Sequence, residues 1–275
     1  MKTKKYGPWA LIAGASDGIG EAFARQLAAQ GFNLVLLARR AEVLGALAAD
    51  LTEEYGVVVQ GVCIDLAADS VLENLREVTD GLEIGLLIYN AGAVHGASHF
   101  HDQPLAHVLS LIALNCTGPA SLCHHYGGLM RERGRGGIIL MSSMAALSGG
   151  SYTAAYNATK SFDLILAESL WHELAPHGVD AMCLVAGATL TPSMLASKEN
   201  FADYPNVMDP VDVAHEALQQ LGKGPVWVAG SHNREAAKML WPIPRTLAIN
   251  GFSEAVASLY ELPFTAVKGE DFHNA

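Results

Sequence analysis

Three side chains in the second half of the chain, Ser143, Tyr156 and Lys160, have types and spacings that suit proton transfer. Tyr156 and Lys160 lie four residues apart in a segment with a helical pattern, so their side chains project from one helix face, one turn apart. A phenol has a pKa of about 10 and is a poor acid or base at neutral pH, but a neighbouring ammonium group lowers that pKa because it stabilises the phenolate. The pair therefore indicates general acid-base chemistry on an alcohol or a ketone.

Ser143 follows the apolar run of residues 137–141, which predicts a buried strand. Its hydroxyl would then lie at the carboxyl end of that strand, where open α/β sheets bind their ligands. A tyrosine and a lysine four residues apart do not define a site on their own, because many helices carry such a pair on a solvated face. The elements around them decide the interpretation.

Apolar strand-like runs alternate with amphipathic helical stretches along most of the chain, which is typical of repeated βα units on a parallel sheet. We predict one α/β domain over residues 1–230, with a Rossmann-type, doubly wound parallel sheet and helices on both faces. The expected strands lie near 9–14, 33–38, 57–63, 84–89, 137–142, 180–185 and 225–229. The expected helices cover 18–30, 41–55, 69–79, about 105–133, 153–177 and 210–221.

Two stretches depart from this alternation. Residues 189–209 carry Pro192 and Pro205 among small and polar residues, which predicts a loop or short helices that act as a lid over the site. Residues 231–275 predict a C-terminal helical extension of the same domain, broken at residues 241–244, that packs on the domain or on a partner subunit. A peripheral membrane helix is the alternative, which the lack of a basic face disfavours.

The composition excludes several classes of partner. The 275 residues are 51% hydrophobic and 16% charged, enough apolar material for one sizeable core. A net charge of -11 argues against nucleic acid and anionic membrane surfaces, because both repel an acidic protein. No apolar run is expected to span a membrane, and no signal-peptide pattern follows the basic N-terminus. The expected ligands are small molecules.

The cysteines and histidines predict neither disulfides nor a metal site. The cysteines lie in or beside apolar segments without paired or metal-ligand spacing, so we expect buried free thiols in the reducing cytoplasm. A metal site at His95, His99 and His101 is a possible alternative, but their loop has no acid or thiol at fixed spacing beyond Asp102. We interpret this loop as the rim of a substrate pocket or as a plain polar loop. The four cysteines are Cys63, Cys116, Cys123 and Cys183.

The first predicted βα turn contains three glycines, Gly14, Gly18 and Gly20. Glycine lets the backbone turn tightly and approach a pyrophosphate, and the following helix offers free N–H groups at its positive end. An ordinary glycine-rich turn is the alternative, but the strand before and the helix after favour dinucleotide binding. The turn also contains Ser16, Asp17 and Ile19.

The end of the second predicted strand indicates which dinucleotide binds. A chain that selects NAD commonly has an acid there, whereas this chain has Ala38 followed by Arg39 and Arg40. Two guanidinium groups suit the 2′-phosphate of NADP(H), although solvated arginines at a strand end would look the same. Asp65, after the third strand, is a candidate for hydrogen bonding to the adenine edge.

With the glycine loop, Asn90-Ala91-Gly92, Asn115, Ser143, Tyr156 and Lys160 in this order, the chain resembles the short-chain dehydrogenase/reductase family over nearly its whole length. The resemblance implies that Tyr156 exchanges the substrate proton, Lys160 holds the nicotinamide ribose and lowers the tyrosine pKa, Ser143 positions the carbonyl oxygen and Asn115 holds a water in a proton relay. It also implies that Thr191 contacts the nicotinamide carboxamide. Further implied cofactor contacts are Leu66, Gly187 and Thr189.

More narrowly, the chain resembles the bacterial subgroup that contains the 7β-hydroxysteroid dehydrogenases. The likeness lies in residues 5–9, 124–126, 189–193, 220–223 and 228–230. The chain departs from the family pattern at Ala13, Tyr89 and Ala186, where we expect differences in local bracing and the same chemistry.

These observations predict an NADP(H)-dependent oxidoreductase that moves hydride between nicotinamide and a secondary alcohol or ketone, with a bulky alicyclic, hydroxysteroid-like substrate favoured. The alternatives are a β-ketoacyl thioester reductase and a non-catalytic NADP(H)-binding regulatory protein. A homodimer or homotetramer is expected through the helices at 105–133 and 153–177. The expected pocket residues are Val94, His95, Met194 and Leu195.

Overall fold

The structure, a computed structural model, describes residues 2–68, 70–92, 97–197, 201–259 and 263–274. Within these residues, seven strands form one parallel sheet in the order β3-β2-β1-β4-β5-β6-β7. The strands are β1 (Trp9–Ala13), β2 (Asn33–Ala38), β3 (Val59–Cys63), β4 (Ile84–Tyr89), β5 (Gly136–Ser143), β6 (Val179–Ala186) and β7 (Val226–Val228).

Helices connect the strands and extend beyond the sheet. The bounds are α1 (Lys2–Tyr6), α2 (Gly18–Ala28), α3 (Ala41–Tyr55), α4 (Val71–Thr79), α5 (Leu105–Ile112), α6 (Gly118–Arg133), α7 (Ala154–Leu174), α8 (Pro192–Ser197), α9 (Pro210–Gln220), α10 (Ser231–Leu240) and α11 (Arg245–Leu259). The predicted strands and major helices are confirmed to within a few residues at their ends. The sequence did not predict α1, because five residues are too few to show a helical period.

The predicted helix over 105–133 is divided in the structure. A π-helical turn, Ala113–Thr117, joins α5 to α6, so one continuous helical stretch contains a local change of winding. Such π turns insert one residue into an α-helix and are frequent at functional sites. The altered winding changes the direction in which the side chains of the turn project. The side chain of Asn115 is among them.

The strand order confirms the doubly wound fold. The chain builds outward from β1 through β2 to β3, then returns to the other side of β1 and continues from β4 to β7. The connection that follows β1 therefore runs toward one edge of the sheet, and the connection that follows the neighbouring strand β4 runs toward the other edge. Open α/β sheets bind ligands in the crevice at this point, outside the carboxyl ends of the strands.

Both faces of the sheet are covered by a hydrophobic core. Leu11 and Val35 contribute to one cluster, while Ile12 and Leu36 contribute to the other, so neighbouring residues of a strand point to opposite sides. A strand that is buried on both faces is apolar throughout instead of alternating, as in β2 and β4. The expectation of buried thiols is confirmed for Cys123 and Cys183, but Cys116 is half-buried and Cys63 is exposed, because Cys63 ends the edge strand β3.

Segment 189–209, predicted as a lid, folds into short elements. The helix α8 and a 3₁₀ turn, Phe201–Asp203, lie within it, and residues 198–200 are outside the described residues. A parallel bridge pairs Thr189 with Met208, so the two ends of the segment are held together at its base.

The described part of the C-terminal extension is tied to α7 by a partly buried ion pair. Arg245 donates two hydrogen bonds to the Glu168 carboxylate, at 2.6 and 2.7 Å, and its guanidinium lies 4.4 Å from the ring centre of Trp241. The backbone N–H of Thr246 donates to Asp271, 3.0 Å away. Extension and domain thus share a partly buried polar network.

By length and composition alone, the helical stretch Leu105–Arg133 is apolar enough to cross a membrane, with a mean hydropathy of 1.4 in its best window. This differs from the expectation that no run would qualify. About a third of the window, 33%, is buried within the structure. One such stretch is weak evidence for a span, because core helices of soluble proteins have the same properties.

The ion pair predicts how far the extension contributes to stability. Arg245→Ala leaves the Glu168 carboxylate buried without its cation, so the free energy of unfolding in urea should fall by about 3–5 kcal/mol. A double variant, Glu168→Leu with Arg245→Leu, should recover much of that loss because no charge remains buried. Unchanged unfolding of Arg245→Ala would show that the extension is not tied to the domain.

Candidate active site

Ser143, Tyr156 and Lys160 lie where the end of β5 meets the start of α7. Ser143 is the last residue of β5, and its hydroxyl accepts a hydrogen bond from the Ala145 backbone at 3.2 Å. Tyr156 and Lys160 lie in the first two turns of α7, which begins at Ala154. The chain passes from strand to helix between Ser143 and Tyr156, thirteen positions later, which explains their spacing.

The Lys160 ammonium group is buried and bonded to two elements. Its Nζ donates to the Met141 carbonyl of β5 at 2.8 Å and to Asp163 Oδ2 on α7 at 2.9 Å. Burial alone lowers the pKa of Lys160, but the charge and hydrogen bond of Asp163 and the electrostatic interaction with Tyr156 raise it, and the net pKa lies above the ordinary value. Lys160 is therefore charged at neutral pH, and Tyr156 is near enough to interact with it electrostatically.

Asn115 comes from the π-helical turn and bonds to the residue before Lys160. Its side-chain amide donates to Thr159 Oγ1 at 3.0 Å, and Thr159 precedes Lys160 on α7. A methyl group built on Gly92 would lie 3.1 Å from Lys160 Nζ and 3.5 Å from Asn115 Oδ1. The backbone after β4, the π turn and α7 thus converge at Lys160.

Tyr89 accounts for one departure from the family pattern. Its fully buried hydroxyl donates to the carbonyl of Leu114 at 2.6 Å, within the π turn and next to Asn115. Gly118 leaves room for this contact, since a methyl group there would lie 2.1 Å from the tyrosine oxygen. Tyr89 therefore braces the backbone that presents Asn115.

The glycine loop has the shape expected of a cradle for a pyrophosphate. Gly14 and Gly18 have φ angles of +80° and +56°, which favour glycine, and a methyl group on Gly20 would lie 1.9 Å from the Gly14 carbonyl. The Asn90 amide donates to that carbonyl at 2.8 Å, while Ala91 lies against Gly14. These residues fit a dinucleotide at the N-terminus of α2.

The arginines after β2 lie beside this loop. Arg40 donates to the Ser16 hydroxyl at 2.8 Å and forms an ion pair with Asp17. Arg39 is exposed at the same strand end. Ile19 packs partly buried in the core behind the loop. Both arginines thus lie at the carboxyl edge of the sheet, where Arg40 is already paired and Arg39 is exposed.

The remaining predicted cofactor contacts differ in exposure. Asp65 is exposed and accepts a hydrogen bond from the Ala67 backbone at 3.1 Å, whereas Leu66 is buried. Thr189 is buried and its hydroxyl donates to the Gly187 carbonyl at 3.1 Å, so this side chain braces its own turn.

Thr191 lies directly opposite the glycine loop. A methyl group on Gly18 would lie 2.9 Å from Thr191 Cγ2. The Thr191 hydroxyl also accepts a bond from the Met194 backbone at 3.4 Å. Met194 is half-buried and Leu195 is exposed, both on α8. The other two expected pocket residues, Val94 and His95, lie outside the described residues.

Sequence reasoning missed two residues near these groups. Tyr152 lies between Ser143 and Tyr156 with a φ of +68°, and its ring centre lies 4.6 Å from that of His99. Asp163 is buried beside Lys160. An acid three residues after Lys160 in an otherwise apolar stretch was the available signal. Among the described residues, no group of three or more histidines, cysteines or acids lies together as a metal site would require.

The glycine loop follows β1, where the connections of β1 and β4 diverge, and Tyr156 lies one helical turn from the buried Lys160. These two features are typical of a nicotinamide-dependent oxidoreductase. The family model described as short chain dehydrogenase matches residues 8–201. The chain therefore belongs to the short-chain dehydrogenase family, whose members bind a nicotinamide cofactor.

Known proteins agree with this assignment. The 7beta-hydroxysteroid dehydrogenase of Collinsella aerofaciens is 33% identical over 237 residues, which are 85% of this chain and 90% of that protein. A solved 7beta-hydroxysteroid dehydrogenase structure has a TM-score of 0.82 and 30% identity, covering 91% of this chain and 98% of its own. A short-chain dehydrogenase from Sphingobium yanoikuyae, solved in complex with NADPH, has a TM-score of 0.76 and 29% identity, covering 96% and 99%.

The contact between Tyr89 and the π turn is testable without substrate. Tyr89→Phe leaves the Leu114 carbonyl without its donor, so the free energy of unfolding should fall by about 1–3 kcal/mol and backbone hydrogen exchange should accelerate over 113–117. Tyr126→Phe is a matched control, because that buried hydroxyl pairs with Thr79 at 2.8 Å instead. Equal exchange over 113–117 in both variants would contradict the bracing role.

Proposed function

We propose that the protein is an NADP(H)-dependent oxidoreductase that interconverts a secondary alcohol and a ketone. The observation that carries this proposal is the convergence of Tyr156, Asn115 and the charged Lys160 at the edge of a dinucleotide cradle. A protein that only binds the dinucleotide has no use for an acid-base pair built at the cost of burying an ammonium group.

When bound, the nicotinamide supplies or accepts the hydride, and the protein supplies orientation and the proton. In ketone reduction, the Tyr156 hydroxyl gives its proton to the carbonyl oxygen, while the Ser143 hydroxyl donates a hydrogen bond to the same oxygen. The Lys160 ammonium stabilises the phenolate left on Tyr156 and binds the cofactor ribose. Asn115 holds a water through which the proton is replaced. Oxidation uses the same groups in reverse.

A bulky alicyclic, hydroxysteroid-like ketone is the proposed substrate. Support comes from the relatives described as 7beta-hydroxysteroid dehydrogenases and from the apolar side chains of α8, Met194 and Leu195. We propose that these two residues, with Val94 and His95, enclose the substrate, because they follow strand ends at the edge where such folds bind ligands.

The cofactor is proposed to be NADP(H). Arg39 and Arg40 follow β2, where an acid would favour NAD, and a similar solved structure contains NADPH. Asp17 partly offsets the charge of Arg40, which leaves Arg39 as the stronger candidate for the 2′-phosphate. The other residues of the proposed cofactor site are Gly14, Ser16, Asp17, Gly18, Ile19, Gly20, Asp65, Leu66, Asn90, Ala91, Gly92, Tyr156, Lys160, Gly187, Thr189 and Thr191.

We further propose a cytoplasmic homodimer or homotetramer that associates through the helical stretch 105–133 and α7. Large apolar side chains are exposed on both, among them Leu105 at 68%, Leu109 at 55% and Ile165 at 53%. Exposed apolar area of this kind commonly marks a contact between proteins. Residues 1–230 and 231–275 are proposed to form one folding domain, in keeping with the Arg245–Glu168 ion pair.

Oxidation of NADPH with a panel of ketones tests the function directly. A steroid ketone, a small cyclic ketone and a β-ketoacyl thioester distinguish the proposed substrate from the alternatives. Tyr156→Phe should lower turnover by about 10²-fold or more, because the acid is lost while the ring remains. Binding of NADPH should survive.

Tyr55→Phe, at the end of α3, makes the same chemical change outside the site and should turn over normally. Near wild-type turnover of Tyr156→Phe would refute the mechanism. Binding of NADPH without turnover of any ketone would favour the regulatory alternative.

Cofactor choice gives a separate prediction. Arg39→Ala should weaken NADPH binding by about ten- to a hundredfold, which corresponds to roughly 1.5–3 kcal/mol for one charge-assisted contact, and should barely affect NADH. Arg40→Ala should have a smaller effect because Asp17 already pairs with Arg40. Fluorescence titration with both cofactors measures this, and an equal loss for NADPH and NADH would show that Arg39 does not recognise the phosphate.

A further inference from the structure

Helix α7 buries two carboxylates, and each of them pairs with a cation. Glu168 pairs with Arg245 at the C-terminal extension, far along the helix from the site. Asp163 is only 1% exposed and pairs with Lys160 at 2.9 Å, one turn away on the same helix face. The two pairs are chemically alike, but only the second involves a residue of the proposed mechanism.

Asp163 interacts with titratable groups from four elements around it. These are Lys160 on its own helix, Tyr89 of β4, Cys183 of β6, and Cys116 and Cys123 of the helical stretch opposite. Burial raises the pKa of the tyrosine and of the three thiols, that of Cys116 to about 11, so these four groups are neutral at physiological pH. Within the described residues, Lys160 is the cation that Asp163 faces.

The carboxylate has no other described hydrogen-bond donor. Its Oδ2 accepts from Lys160, and its buried Oδ1 accepts no hydrogen bond from the described residues. A carboxylate that stabilised the fold would be expected to accept from several donors, as Glu216 does from the Gly230 backbone and from the side chains of Trp227 and Arg234. Among the described residues, Lys160 is thus the hydrogen-bond donor to the Asp163 carboxylate.

Fold stability does not explain an acid at this position. Replacing a buried ion pair by apolar residues of similar size is often neutral or stabilising, so the pair has little value as a core contact. It has value for Lys160, whose four-carbon side chain is flexible and whose charge is disfavoured by burial. Two acceptors on two elements, the Met141 carbonyl and Asp163, fix the position of the Nζ atom.

We propose that Asp163 is a positioning residue that keeps Lys160 in its charged form and holds its ammonium group in place beside Tyr156. This inference rests on the proposed function, in which the Lys160 ammonium stabilises the phenolate and binds the cofactor ribose. Without the carboxylate, a buried lysine gives up its proton more readily as the pH rises. The site would then lose the positive charge that both steps use.

The central variant is Asp163→Asn, which keeps the size and one oxygen acceptor but removes the charge. The loss of activity at alkaline pH, measured as kcat/KM for alcohol oxidation, should begin about 1–3 pH units lower than in the wild type, because a contacting opposite charge shifts a pKa by that amount. The dissociation constant of NADPH should begin to rise over the same pH range. Glu168→Gln removes a buried carboxylate from the same helix and should leave both profiles in place.

A second measurement uses the cofactor-free protein, so it does not depend on turnover. NMR of ¹³C-labelled lysine should show Lys160 titrating at lower pH in Asp163→Asn than in the wild type and unchanged in Glu168→Gln. Burial raises the pKa of Asp163 to about 6. The wild-type Lys160 signal should therefore also show a smaller step near pH 6, and the absence of that step would contradict the coupling of the two groups even if Asp163→Asn fails to fold.

Two outcomes separate this inference from the proposed function. If the wild type reduces ketones but Asp163→Asn retains the wild-type alkaline limb and lysine titration, Asp163 does not position Lys160. If no ketone is reduced by the wild type, the proposed function fails, and the lysine titration still tests the pair. A uniform drop in activity of Asp163→Asn without any shift of the pH profile would mean a purely structural role, and it would overturn the proposal.

Discussion

A buried ammonium group costs free energy unless polar groups replace the water it loses, and this constraint shapes the centre of the protein. Lys160 satisfies it with the Met141 carbonyl on β5 and the Asp163 carboxylate on α7. Ser142 also joins these elements, since its hydroxyl donates to the Lys160 carbonyl at 2.7 Å. The strand that ends at Ser143 and the helix that carries Tyr156 are therefore held in one relative position by the lysine itself.

The same constraint explains how a departure from the family pattern is tolerated. Tyr89 is larger than the asparagine usual at its position, and its hydroxyl needs an acceptor inside the protein. The Leu114 carbonyl provides one, and the absence of a side chain at Gly118 provides the space. The π turn and the start of α6, both distant from Tyr89 in sequence, thus accommodate the larger side chain. Asn115 keeps its hydrogen bond to Thr159 of α7.

Local patterns in the sequence predicted the sheet, the glycine loop and the order of the site residues, because each depends on neighbours a few positions away. Strand β2 is a continuous apolar run, and Gly14, Gly18 and Gly20 repeat at the spacing of a tight turn. The roles of Tyr89, Thr189 and Asp163 depend on partners that only the folded chain provides. Asp163 in particular follows Lys160 by one helical turn, yet its burial is decided by the elements packed against α7. The exposure of Cys63 likewise depends on β3 lying at the sheet edge.

The Arg245–Glu168 pair joins positions that are 77 residues apart in sequence. Glu168 is the constrained partner, because loss of Arg245 alone would leave its carboxylate buried without a cation, whereas Arg245 is partly exposed. During evolution, Arg245 can therefore be lost only together with the charge of Glu168 or after it. Relatives that lack a C-terminal extension of this kind should carry an uncharged residue at the position of Glu168. The residue type at this one position of α7 would then indicate whether a chain has such an extension.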